Sequence, residues 1–168
     1  MEGKTIEETS FIISHVALPK DANIAGNVHG SVVMKYIDIA AGVVAIRHAR
    51  GRAVTASINR LDFFHPVFVG DLIILKASIH LVGKSSMDIG VRVETEDMST
   101  GDINYISSAY LTLVALDEDG RPKEVPPLIL VSEEEKRRNQ EALLRKDIKL
   151  SETKQLIKKK NINRQKEI

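Results

Sequence analysis

Cysteine and tryptophan are absent from the 168-residue chain. Without thiols there is no disulfide framework, no thiolate metal site and no cysteine nucleophile. No apolar run approaches the ~20 residues that cross a bilayer, and Glu2, Lys4, Glu7, Glu8 and His15 interrupt any leader-like stretch at the start. A cytoplasmic protein is therefore expected. His15, His29, His48, His65 and His80 fall in separate contexts with no His-x-x-x-His or paired-carboxylate spacing, so no metal is expected. Gly26, Gly30 and Gly83 belong to neither a G-x-G-x-x-G nor a P-loop pattern, which removes the usual nucleotide cradles.

What remains is a chain with 43% hydrophobic and 28% charged residues, enough for one well-buried core. The net charge of +1 conceals an asymmetry: residues 149–168 carry seven basic side chains against Glu152 and Glu167. That lysine-rich ending predicts a solvated, frayed helix rather than a nucleic-acid arm, and the domain boundary is drawn at Lys149, with residues 1–148 as the domain.

Along the domain, Thr5–Leu18 is rich in Ile, Phe, Val and Thr and stops at Pro19, which predicts a strand followed by a loop to Asn27. From Gly30 to about Gly51 apolar residues fall on nearly every side of a helix, which predicts a buried one. Four segments with strand chemistry follow, Ala53–Phe64, Asp71–Val82, Ser86–Asp97 and Ile103–Asp117, joined by short Gly-containing connections. Alternation is plain in two of them: Ile73, Leu75, Ala77, Ile79 and Leu81 share one face, as do Met87, Ile89, Val91 and Val93. Pro126-Pro127 ends the sheet, and Ser132 then reads as the N-cap of a helix with Glu133, Glu134 and Glu135 in its first turn, running to about Asp147. The expected class is α+β: an antiparallel sheet of about five strands wrapped around one central helix, the hotdog arrangement, plus a C-terminal helix.

Asp38 stands out. A lone carboxylate in the middle of an apolar helix costs on the order of several kcal/mol if charged and unpaired, so an ordinary core would not hold one there. Asn27, His29, Gly30 and Ser31 mark the start of the same helix, where free backbone N–H groups can hold a developing oxyanion and Gly30 permits close approach. The bland readings are a structural Asp38 satisfied by hydroxyls, and Asn27 and His29 as loop or capping residues. At about 1.5 Å per residue, Asp38 lies some 12 Å or more along the axis from Asn27. One chain cannot bring both to one bond, but two antiparallel helices about a two-fold axis can, which predicts a site shared across a dimer. These parts suit acyl transfer to water, with Asp38 as general base or nucleophile and Asn27 orienting water or the carbonyl. The Gly83-Lys84-Ser85-Ser86 turn, a plain reverse turn in the bland reading, offers a cation and two hydroxyls to a phosphate.

The string Asp21-Ala22-Asn23-Ile24-Ala25-Gly26-Asn27-Val28-His29-Gly30, with Ile37-Asp38, Arg47-His48-Ala49, Val54-Thr55-Ala56-Ser57, Gly70-Asp71 and Gly83-Lys84-Ser85-Ser86-Met87, resembles the single-hotdog acyl-CoA thioesterases of the YciA-like type. It is also similar to the repeated halves of the brain acyl-CoA hydrolase. The resemblance runs from about residue 10 to 148. It implies hydrolysis of acyl-CoA to free acid and CoA, with Asn27 and Asp38 catalytic, the 83–86 turn near the CoA, Arg60 as a further contact to its phosphates, no separate cofactor, and a trimer of dimers. Ser31 departs from the family, which has a second Gly there. A dehydratase would need a His/Asp or His/Glu pair, a role His29 fits less well than Asn27 with Asp38 fits hydrolysis. A non-enzymatic acyl-CoA sensor is the competing expectation on the same frame.

Overall fold

The structure is a computed structural model describing residues 1–166, and from 156 onward it describes the backbone alone. Residues 1–130 form one compact unit and a second begins at Val131.

The first unit is built on a five-stranded antiparallel sheet. Its strands are β2 (Phe11–Val16), β3 (Arg52–Phe63), β4 (Leu72–Val82), β5 (Ser86–Glu96) and β6 (Ile103–Leu116), in the order β2-β4-β5-β6-β3. Helix α1 (Gly30–Ala49) packs on the inner face, where Ile73, Leu75, Ile79, Met87, Ile89 and Leu111 have almost no solvent exposure. The alternation seen in the sequence thus becomes the core face of β4 and β5. At about 25 cal/mol per Å² of apolar surface removed from water, this face is the main stabilising element of the unit. The expected hotdog arrangement is present.

Three expectations change. Thr5–Leu18 is not one strand: β1 (Lys4–Thr5) pairs in parallel with β7 (Leu128–Ile129), and a turn separates it from β2. The Thr5 amide and hydroxyl both donate to Glu8 Oε2, at 2.7 and 2.9 Å, and the Thr9 and Ser10 amides donate to the Ile6 carbonyl. Local side-chain bonds here outcompete the ladder. Second, α1 is not buried all round. Val33, Ile37, Ala40, Ala41, Val44 and Ala45 face the sheet, whereas Met34, Asp38, Ile39 and Ile46 are exposed in the single protomer.

Third, the boundary at Lys149 falls inside a helix. Helix α2 (Glu133–Lys166) continues past Asp147 because the chain beyond Pro127 contains no Gly or Pro and is rich in Lys, Gln, Glu and Leu, which favour helix. The expected solvated tail extends to Glu167 and Ile168, which lie outside the described residues.

Candidate active site

Asp38 sits on the exposed side of α1 at the margin that meets β3, and Thr55 Oγ1 donates a hydrogen bond of 2.6 Å to its Oδ1. The connection from α1 to β3 is only Arg50-Gly51, with Arg50 in the left-handed region at φ 48°, so β3 turns straight back along the helix. In β3 Thr55 pairs with Leu113 and Ser57 with Thr112, leaving Ala56 unpaired. Such a bulge bends the strand and re-aims the side chains beside it. The hydroxyl holds one carboxylate oxygen and leaves the other open.

At the opposite end of β3, Phe63 lies against the helix start: a Cβ built on Gly30 would stand 3.5 Å from its ring. The preceding loop is a small hairpin. Ala22 bridges Val28, Asn27 bridges Phe68, and Asn23 donates its amide to the Asn27 carbonyl at 2.7 Å. Asn23 Oδ1 accepts from the amides of Ala25 (2.8 Å) and Asn27 (3.3 Å), a turn that holds the carboxamide and leaves its NH2 as a donor. Of the three residues expected to hold an oxyanion, His29 has committed its amide to the Asp21 carbonyl at 2.8 Å. The amides of Gly30 and Ser31 occupy the first helical positions, which have no intrahelical acceptor. His29 is the N-cap by position, with no capping bond from its side chain.

The 83–86 turn joins β4 and β5 at the end of the sheet nearest Thr55. Ser86 pairs with Val114 and Val114 with Val54, so the turn is two strands across, about 10 Å, from the neighbour of Thr55. Gly83 N–H donates to the Ser86 carbonyl, and the Lys84 and Ser85 carbonyls accept from Val125 and Ala115, which fixes the turn. Lys84 is exposed and meets Glu124 at 3.1 Å. Arg60, farther along β3, is exposed and paired with Asp62, whose carboxylate raises the guanidinium pKa further. No group of three or more His, Asp or Glu side chains able to hold a metal occurs among the described residues.

Within one protomer the fold therefore brings Asp38, Thr55 and the 83–86 turn to one end. It leaves Asn23, Asn27, Gly30, Ser31, Phe63 and Phe68 at the other. Thr55 entered the sequence reading only within the Val54-Thr55-Ala56-Ser57 string and without a role, because a lone Thr in a strand is ordinary. Its signal was a hydroxyl a few residues after a tight helix-to-strand reversal, where the strand must run back along the carboxylate.

Residues 25–101 match the family model of the Thioesterase superfamily. YkhA of Bacillus subtilis, an uncharacterised acyl-CoA thioester hydrolase, is 35% identical over 134 residues, 80% of this chain and 78% of its own. The chain belongs to the thioesterase superfamily. Among solved members of the superfamily, an apo hexameric acyl-CoA thioesterase is 35% identical with a TM-score of 0.88, over 91% of this chain and 98% of that one. The acyl-CoA hydrolase of Staphylococcus aureus, solved with butyryl coenzyme A, coenzyme A and coenzyme A disulfide, is 31% identical with a TM-score of 0.83, covering 92% and 96%. In this thioesterase no helix among the described residues is long and apolar enough to cross a membrane.

Proposed function

We propose that this thioesterase hydrolyses acyl-CoA to a free carboxylic acid and coenzyme A at a site built from two protomers. Asp38 and Thr55 of one face the Asn23 loop and helix start of the other. The observation that carries the reading is the Thr55–Asp38 hydrogen bond on the exposed side of α1, beside the apolar Met34, Ile39 and Ile46. Three variants of the Staphylococcus aureus hydrolase have been solved, each with one residue changed to Ala: an Asp, an Asn fifteen positions before it and a Thr seventeen positions after it. Those intervals, counted from Asp38, fall on Asn23 and Thr55. Asn23, rather than the Asn27 singled out by the sequence, is accordingly the proposed carboxamide, and the loop geometry that frees its NH2 agrees.

The chemistry needs no cofactor. The free oxygen of Asp38 takes a proton from water as the water oxygen attacks the thioester carbonyl carbon. The carbonyl oxygen becomes an oxyanion facing the NH2 of Asn23 and the amides of Gly30 and Ser31. Collapse breaks the carbon–sulfur bond, and the departing thiolate recovers the proton from Asp38. The 83–86 turn, with Lys84, and Arg60 are the proposed contacts for the phosphates of CoA.

A site of this kind requires a dimer. The apolar face left by Met34, Ile39 and Ile46 on α1 and Val54 and Ile58 on edge strand β3 suits a second copy. Two solved relatives are described as hexameric, and a trimer of dimers is the proposed assembly. The mouse cytosolic acyl coenzyme A thioester hydrolase is 33% identical over 142 residues, 37% of its length, and a cytoplasmic location is proposed here as well.

Thiol release from a panel of acyl-CoAs by wild type, Asn23→Ala, Asn27→Ala and Asp38→Ala tests the reading. Asn23→Ala should lower kcat about 10²–10³-fold and Asp38→Ala about 10²–10⁴-fold, and part of the lost activity should return when the two are refolded together, because one mixed site keeps both residues. Wild type that binds CoA esters without releasing thiol would identify a sensor instead. Single turnovers in ¹⁸O-water probe Asp38 as a nucleophile: label in its carboxylate requires a mixed anhydride with the acyl group, opened by water at the Asp38 carbonyl carbon.

A further inference from the structure

Asp21, His15 and Tyr36 lie outside the proposed chemistry, yet they are joined in line. Asp21 is 9% exposed. Its Oδ2 accepts the Leu18 amide at 3.0 Å and meets His15 Nε2 at 3.3 Å. On the other side of the imidazole, Tyr36 Oη lies 3.0 Å from Nδ1, and the two rings stack with centroids 4.5 Å apart. With the tyrosine O–H donating to Nδ1, the neutral imidazole carries its proton on Nε2, pointing at Asp21. The row connects three elements: β2 through His15, the 3₁₀ turn Pro19–Asp21, and α1 through Tyr36.

Its position gives it a purpose. Asp21 is the hinge of the hairpin that presents Asn23, two residues on. The Asp21 carbonyl takes the His29 amide at the far side of the same hairpin, and the Ala22–Val28 bridge closes it. Tyr36 stands two residues before Asp38 on α1, roughly half a turn around the helix, so it grips the catalytic helix without reaching the reacting atoms. An anchor for fold alone would be served by apolar packing. A hydrogen-bonded row with fixed directions sets an angle as well as a distance.

We infer that Tyr36, His15 and Asp21 form a brace that positions the Asn23 hairpin relative to α1, making them positioning residues for hydrolysis. This rests on the proposed role of Asn23. Displacing a reacting group by about 1 Å can cost about 100-fold in rate while leaving substrate binding largely intact. The brace therefore belongs to kcat rather than KM.

The test is a double-mutant cycle. His15→Phe keeps a ring for the stack and removes both hydrogen bonds; Tyr36→Phe keeps the stack and removes one. In the wild-type background His15→Phe should lower kcat about 10- to 100-fold with KM changed less than about twofold, and Tyr36→Phe should produce a smaller loss of the same kind. In Asn23→Ala the same substitutions should cost nothing more, because the group they aim is gone. Equal fractional losses in both backgrounds, or an unchanged kcat, would overturn the brace. If His15→Phe does not fold, Tyr36→Phe is read through the same cycle. Asn23→Ala with wild-type kcat would instead reject the catalytic carboxamide, an outcome visible before any brace variant is made.

Discussion

Two side chains on α1 show how differently one helix can treat polar groups. Asp38 faces outward and is held by Thr55, whereas His48 is fully buried, with Nε2 donating to the Pro126 carbonyl at 2.8 Å and Nδ1 left without a partner among the described residues. Loss of the Asp38 carboxylate in Asp38→Asn should lower kcat by about 10²–10⁴-fold, the usual contribution of a positioned base. Thr55→Val keeps the shape but removes the donor, and should lower kcat by about tenfold, as expected for one hydrogen bond to a charged group. Steady-state thiol release measures both. Burial holds the His48 imidazole below its ordinary pKa of 6.5, with Lys4 pushing the same way and the Pro126 bond opposing. The folded state thus favours neutral His48, and the unfolded chain binds the extra proton first. Stability should be fully present above about pH 6.5 and fall as pH drops toward the depressed folded value. Urea midpoints should decline from about pH 7.5 to about pH 5, and the decline should be shallower in His48→Gln.

Among the elements, α2 states its beginning most clearly. Ser132 Oγ accepts the Glu135 amide at 3.2 Å, and Glu135 Oε2 accepts the amides of Ser132 (2.9 Å) and Val131 (2.6 Å), a reciprocal cap. Arg137 and Arg138 hold the Glu134 carboxyl down at about 2, so Glu134 stays ionised. Ser132→Ala should destabilise α2 by about 1 kcal/mol, seen as a lower midpoint in thermal unfolding followed by far-UV circular dichroism. This start was readable because capping is local chemistry over four residues. The end was not, since the composition changes at Lys149 while helix propensity does not. The strands β4 and β5 were legible from alternation, but the break between β1 and β2 was hidden by residues that all favour strands.

For the whole molecule, the proposed two-protomer site depends on the exposed face of α1 and β3. Ile46 is 50% and Val54 46% exposed in the single protomer, values that fit surfaces awaiting a partner. Ile46→Asp with Val54→Asp should give a folded monomer by light scattering, with hydrolysis abolished because Asp38 no longer meets a neighbouring Asn23 loop.

The chain announces its architecture and its carboxylate without help: periodicity, turn residues and the oddity of Asp38 are all short-range signals carried in a few adjacent positions. Thr55 as the partner of Asp38 and the row from Tyr36 to Asp21 come only from folding. Each depends on a strand reversal, a bulge or a hairpin that brings together residues 17 or 21 positions apart. No pattern along the chain encodes such a meeting, because side-chain direction there is set by packing and not by neighbours in sequence.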